Sequence, residues 1–453
     1  MKSDNQLNDR GHPTQLPKEL IDWLARPVKR FLRIEAAVGW ILLLFTIVAL
    51  VLSNSPWSHI FMAIWEIPIG IHIGSLEFSR SLREWINEAL MTLFFFLIAL
   101  ELKREMVLGE LRNPRMAALP IAAALGGMLV PATIYLMLQL GQPGQNGWGT
   151  VMATDTAFVI GCLALLGSRI PQSLRIFMLS VAIVDDIGAI LVVSIGYGSR
   201  IHWEILALSA IGVVIVRVMA LLGIRSITLY FLIGGIIWLI IDASGVHATI
   251  TGIILGLMTP TVKWITDKHL HTILDSVGVM PEANHKKNAT THRMALRTAE
   301  AAAREALSPV ERLETLLHPW VGFVIMPLFA FANAGVLINI TDFGNSITIA
   351  VFLGFTLGKP IGVFIFSWIA VLTGIALRPA NLSWLLLLAG GFLAGIGFTM
   401  ALFIANLAFS PTLINSAKLG IFSASLFSAI LGISLLSLWA VFGKNKLNNS
   451  MDY

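Results

Sequence analysis

Twelve runs of mostly apolar residues, each close to 20 long, follow one another along this chain. At 1.5 Å of rise per residue, about 20 residues in a helix cover the roughly 30 Å of a bilayer's hydrocarbon core. Hydrocarbon offers no partner to a backbone N–H or C=O, so such runs must close their hydrogen bonds internally as helices. The spans expected are residues 34–53, 85–101, 116–140, 149–168, 173–197, 203–222, 226–242, 247–262, 319–340, 347–374, 382–408 and 415–442. The fold class is therefore an all-α polytopic membrane protein of about 12 transmembrane helices. Composition agrees: 13% of residues are charged, where a soluble chain carries about 25%.

Lysine and arginine set the orientation. With the amino terminus placed in the cytoplasm and loops alternating, only Arg80, Arg83, Arg200 and Lys418 of the 31 basic residues fall outside, and Lys359 falls within a span. This bias follows the positive-inside rule and puts both termini in the cytoplasm. It also explains the net charge of +5 by attraction of inner loops to anionic lipid, without nucleic acid. The expected organisation is a leader (1–33), one membrane domain (34–442) and a short tail (443–453). The leader lacks the apolar core of a signal peptide, and LPKELIDWLARPVKRFLRI reads equally as an interfacial amphipathic helix or a solvated tail. The single cysteine, Cys162, excludes an intrachain disulfide.

Two loops stand out. Residues 263–318 form a long polar cytoplasmic segment, partly helical by its Ala- and charge-rich composition; His269, His271, His285 and His292 in it lack metal-ligand spacing. In the outer loop, 54–84, alternating Ile69, Ile71 and Ile73, then Gly74-Ser75, then Leu76 and Phe78 suit a hairpin. Its edge, within residues 67–80, is suited to pairing with a second copy, which makes a homodimer the expected assembly.

Four ionisable residues lie inside apolar spans: Asp155, Asp185, Asp186 and Lys359. Each costs roughly 3 kcal/mol near a bilayer centre even on a lenient scale, and such residues mark ion or proton pathways by default. Thr154, Asp155 and Thr156 interrupt the fourth span, and Gly390, Gly391, Gly395 and Gly397 weaken the eleventh before Thr399. One interrupted helix in each half points to a site at a repeat interface, although the transporters behind that rule include the family named below; glycine-rich stretches also serve plain helix packing. Asp185 and Asp186 are neighbours, so on a helix they point about 100° apart and should do different work. Two carboxylates in a low-dielectric cavity hold protons that a cation bound by hard oxygen ligands would displace. Three acids and one base thus suit exchange of a cation for protons.

The segments ATDTAFVIGCLALLGSRIP, LSVAIVDDIGAI, SGVHATITGIILG, LHPWVGFVIMPLFAFANAGV, LGKPIGV and GIGFTMALFIANLAF, in that order, resemble the NhaA family of bacterial sodium/proton antiporters across about residues 34–262 and 311–440. The resemblance implies inverted repeats, fourth and eleventh helices that are interrupted and cross at mid-membrane, and a bacterial inner-membrane, pH-regulated, electrogenic antiporter of Na⁺, Li⁺ and H⁺ without a cofactor. By the same resemblance Asp186 is the principal carboxylate for Na⁺ and protons, with Asp185 its partner, and Lys359 exchanges a proton as it pairs with Asp185. Asp155 offsets helix ends at the crossing, Thr154 is a backbone or hydroxyl ligand, and Glu88 stands near a cation funnel. Glu101, Arg104, Glu105, Glu314 and His318 resemble a pH-sensing cluster, though a charged helix end facing water reads the same way; His247 either tunes the pH response or caps a helix. The long leader and the long 263–318 loop depart from the compact family pattern. Three rival readings stand beside this one. An intramembrane aspartyl protease also needs paired acids, but the GxGD context is missing and the two aspartates are adjacent. A symporter or channel for organic anions would want more cationic groups than Lys359. A structural scaffold would make the charged residues dispensable.

Overall fold

The computed structural model describes residues 35–73, 76–109, 112–198, 201–222, 224, 226–262, 272–273, 297 and 306–449. The leader, the four histidines of the long loop and the end of the tail lie outside these residues, as does the Gly74-Ser75 turn.

The chain is nearly all helical. It runs as α1 (Glu35–Ser53), α2 (Ser58–Trp65), a hairpin of β1 (Pro68–Ile73) and β2 (Leu76–Ser81), then α3 (Leu82–Val107) and α4 (Pro114–Gln139). A 3₁₀ stretch (Gln145–Val151) leads through an extended link into α5 (Thr156–Leu166), followed by α6 (Gln172–Gly196), α7 (Trp203–Leu221), α8 (Ile227–Ala243) and α9 (Ile250–Met258). Last come α10 (Pro309–Asn333), α11 (Ser346–Leu372), α12 (Trp384–Ala394), α13 (Phe398–Ala408) and α14 (Ile414–Asn449).

Each of the twelve expected segments contains helix, yet the count of twelve crossings is not reproduced. Among the described residues, eight helices are long and apolar enough to cross a membrane, or up to ten if each of two bent pairs is one span. One of those pairs, α1 with α2, bends by 120°. The remaining apolar segments are short: α8 has 17 residues and α9 has 9. At the long loop the helix starts earlier than expected, because Ser308 and Glu311 form a capping box that nucleates α10 at Pro309. A similar box of Ser81 and Glu84 starts α3 directly from the hairpin.

The hairpin is antiparallel with Ile71 opposite Phe78 and Ile73 opposite Leu76, the register the alternation required. Large apolar side chains remain on the outside, Leu221 at 71% and Met137 at 75% exposure among them, as a lipid-facing surface demands. Inside, α4 and α11 approach so closely that a Cβ on Gly126 would lie 2.2 Å from the Gly362 carbonyl oxygen. Wide π-turns interrupt α3 at Ile86–Leu90, α10 at Val321–Ile325 and α11 at Gly354–Gly358. Pro319 and Pro360, which have no N–H to give the helix ladder, flank two of them.

Candidate functional site

The two interrupted helices meet in the core. The first opens between Val151 and Thr156, the second between Ala394 and Phe398 with a bend of 47°. They touch at the breaks, where the Asp155 N–H donates to the Ile396 carbonyl at 2.7 Å.

Four helix ends therefore point at one place, and their partners follow the sign of each end. The amino-terminal ends of α5 and α13, partially positive, share Asp155: its Oδ1 accepts from Phe158 N at 3.1 Å, and its Oδ2 accepts from Thr399 N at 2.9 Å and from the Thr399 hydroxyl. The carboxyl-terminal ends, partially negative, meet donors. Lys359 Nζ donates to the Met152 carbonyl, and Thr154 Oγ1 lies 2.8 Å from the Ala394 carbonyl. Breaking both helices at mid-core thus exposes four sets of backbone groups, and these three side chains serve them.

Lys359 and Asp185 form an ion pair, with both side chains buried. The ammonium spends its three protons on Asp185 Oδ2, Met152 O and Thr154 Oγ1, the last at 2.9 Å. Thr154 Oγ1 also stands 2.6 Å from Asp185 Oδ2. Asp186, one residue on along α6, faces elsewhere and takes a 3.1 Å hydrogen bond from Thr156 Oγ1 on Oδ2. Oδ1 of Asp185 and Oδ1 of Asp186 are buried and accept no hydrogen bond from the described residues. A buried carboxylate oxygen without a donor is costly, and it is also what a proton or a hard cation binds. Among the described residues no group of three or more His, Cys, Asp and Glu converges as a metal cage. With Lys359 on Asp185, Asp186 is the member of the pair that makes no ion pair among the described residues.

The remaining expected residues fall in two groups at opposite ends of the bundle. At the end away from the hairpin, Arg104 donates to Glu314 at 2.5 Å and to Glu105 at 3.1 Å. Glu101 lies within electrostatic reach of Glu314 and Arg104, while His318 is exposed one turn beyond Glu314. Beside this cluster a cavity of about 750 Å³ is lined by Glu105, Arg112, Ile176 and Ser180, among others. Ser180 precedes Asp186 by six residues on α6, roughly 9 Å of helix, so the cavity approaches the site along the same helix. At the hairpin end, Glu88 sits in the α3 π-turn and pairs with Arg80 at 2.7 Å; Arg80 also reaches Asp242 at 2.5 Å. His247, in the loop before α9, sits on a helix end: its Nε2 is 3.1 Å from the carbonyl of Tyr197, the C-cap residue of α6.

Sequence reading named Thr156 and Thr399 only as interruptions, and the structure makes them partners of Asp186 and Asp155. The signal was present, since a hydroxyl beside a helix break is a natural donor to a neighbouring carboxylate. Met152 O and Ile396 O had no signal, because backbone carbonyls are freed only by the breaks. The Arg80–Asp242 contact likewise had none.

Known proteins share this chain almost end to end. It is 59% identical over 433 residues to the Na(+)/H(+) antiporter NhaA 2 of Vibrio vulnificus, covering 96% of this chain and 97% of that protein. It is 60% identical over 429 residues to the Na(+)/H(+) antiporter NhaA 2 of Acidiphilium cryptum, with coverage of 95% and 96%. To the Na(+)/H(+) antiporter NhaA of Rhizobium meliloti it is 58% identical over 425 residues, with coverage of 94% and 97%. A family model described as Na+/H+ antiporter 1 matches residues 29–436. That match takes in both broken helices and all four buried charged residues between them, and the chain belongs to the Na+/H+ antiporter 1 family.

Proposed function

We propose that this protein is a secondary Na⁺/H⁺ antiporter, a transporter and not an enzyme, whose cargo ion and protons compete for the carboxylates of Asp186 and Asp185. The observation that carries this reading is the pair of buried Oδ1 atoms without a donor at the crossing of two broken helices. Li⁺ has the same hard-oxygen chemistry and is expected to replace Na⁺. No catalytic cofactor enters the scheme.

Charge bookkeeping gives the stoichiometry. With Asp186 protonated and Lys359 charged on Asp185, these three groups sum to zero. Na⁺ binding by both carboxylates requires Asp186 to lose its proton and Lys359 to release Asp185 by losing another. Two protons then leave for one Na⁺, and the bound site carries a net charge of −1. Exchange is electrogenic, so a membrane potential drives it at about 2.3 kcal/mol per charge per 100 mV. Thr154 and the Met152 carbonyl, relieved of Lys359, become oxygen ligands for the ion. Asp155 stays on the helix ends and holds the crossing together. Arg104, Glu105, Glu314, Glu101 and His318 at the mouth of the α6 cavity form a charged rim that responds to pH, and His247 adjusts it from the other end; Glu88 and Arg80 line the opposite approach. Positive loops put that rim in the cytoplasm of a bacterial inner membrane, with both termini inside.

The test is purified protein in liposomes with an imposed pH gradient, recording luminal pH as Na⁺, Li⁺ or K⁺ is added. Collapse by Na⁺ and Li⁺ and not by K⁺ is expected; silence across about pH 6 to 9 rejects antiport. Competition adds a second expectation. Because the ligands must be deprotonated, the half-saturating Na⁺ concentration should fall about tenfold per pH unit where one proton is displaced, and approach about a hundredfold where two are. A pH-independent value would remove the shared site from the scheme.

The hairpin is a two-stranded sheet whose outer edges pair with nothing among the described residues, and we assign it to a homodimer contact. Gly70 and Ser79 are ladder partners, so residues 71–78 can be replaced by a Gly-Gly link that leaves Arg80 on Glu88. This variant should run at half the particle mass in mild detergent; an unchanged mass assigns the dimer elsewhere or denies it.

A further inference from the structure

Three amides meet away from the crossing. Asn333, fully buried at the end of α10, donates through Nδ2 to Asn87 Oδ1 at 2.7 Å and to Phe329 O at 3.0 Å. Its Oδ1 accepts from Asn406 Nδ2 at 2.8 Å and from Asn87 Nδ2 at 3.3 Å. All four hydrogen-bonding positions of the Asn333 amide are used, and the triad ties three elements together: the π-turn of α3, the end of α10 and the broken-helix segment α13.

Asn406 follows Thr399 by seven residues, two turns on the same face of α13 and about 10 Å along its axis. Thr399 gives both its N–H and its hydroxyl to Asp155. The half-helix is therefore held at its start by Asp155 and near its end by Asn333. Apolar packing specifies the rotation of a helix about its own axis less sharply than a directional amide contact does. A rotation that released Asn406 would swing Thr399 away from Asp155 and unseat the crossing.

We propose that Asn406 and Asn333 are positioning residues for ion binding: they fix the rotation of α13, and through Thr399 and Asp155 they set the geometry of the site more than 10 Å away. The inference rests on the antiport reading above. Buried amides also act simply as glue between membrane helices, so the readout has to separate affinity from stability.

Asn406→Leu removes the donor while keeping the volume, and leaves Asn333 Oδ1 its bond from Asn87, so the fold retains its amide pair. Half-saturating Na⁺ for exchange in liposomes, and the Na⁺-induced rise in melting temperature in detergent, are measured together. One hydrogen bond lost from a positioning chain should raise half-saturating Na⁺ about three- to tenfold, since its net worth is on the order of 1 kcal/mol. Asn406→Gln, which still carries the donor, should return to within about twofold of the wild type on the same scale. Should Asn406→Leu fail to accumulate, Asn406→Ser is read by the same criteria. A variant that melts lower but binds Na⁺ as the wild type does makes the triad glue and overturns the inference alone. A wild type with neither exchange nor a Na⁺-induced shift overturns the antiport reading and this inference with it.

Discussion

Asp186→Asn should abolish Na⁺-driven collapse of a pH gradient and leave a protein that melts higher than the wild type. Loss of transport follows from the proposed chemistry: an amide neither exchanges a proton in this range nor neutralises a cation, and Asp185 is engaged by Lys359. The gain in stability follows from the surroundings of Asp186. Its Oδ2 takes one hydrogen bond of 3.1 Å and its Oδ1 takes none from the described residues, in a fully buried position. At alkaline pH without Na⁺, where Asp186 has lost its proton, a neutral isostere spares the cost of a buried charge, and the gain expected there is about 0.5–2 kcal/mol. Exchange at the wild-type rate would move the site away from Asp186. A variant that is silent but less stable would say that Asp186 supports the fold rather than burdens it. Only the combination of lost exchange and raised melting temperature fits an ion-binding carboxylate kept at a cost to the fold.

Much of the architecture was legible because membrane folding leaves few choices. Apolar runs had to be helices, and the hairpin's alternation fixed its register. Both helix breaks were marked, one by Thr154, Asp155 and Thr156 and the other by Gly395 and Gly397. The number of crossings was less secure, and α9 shows why. Its helix covers nine residues, and a Cβ on Gly252 would stand 2.2 Å from the Thr92 carbonyl oxygen of α3. It is shaped by close packing on a neighbour, which hydropathy does not record. The site was legible as a set of expensive residues and illegible as a geometry. Nothing in the sequence by itself placed Ile396 O over Asp155 N, or paired Thr399 with Asp155. Adjacent Asp185 and Asp186 had to point apart on a helix, and they do have different partners; which of them met Lys359 came from the resemblance to a family. The Asn87, Asn333 and Asn406 triad gave no local pattern at all, since its members come from three distant segments.

Lys359→Leu should destabilise the protein by about 3–5 kcal/mol, and adding Asp185→Asn should restore most of that loss. Lys359 is fully buried and gives its three protons to Asp185, Met152 O and Thr154. Without it, Asp185 keeps only the Thr154 hydroxyl, and the freed Met152 carbonyl at the helix break loses its donor. A buried charge stripped of its partner is the costly case, whereas removing both partners of an ion pair together is often close to neutral. The double variant therefore separates two roles that the single variants confuse. If Lys359 is needed only to neutralise Asp185, the double variant recovers its melting temperature fully; if it also holds the crossing through Met152, a residue of about 1 kcal/mol should remain. Transport divides the same way. A site left with Asp186 alone has one proton to trade for one Na⁺, so any exchange the double variant retains should be electroneutral and indifferent to an imposed membrane potential. Voltage-driven exchange in that variant would show that the second proton is carried by neither Lys359 nor Asp185. Additive melting losses in the two single variants and their combination would deny the coupling that the buried ion pair requires.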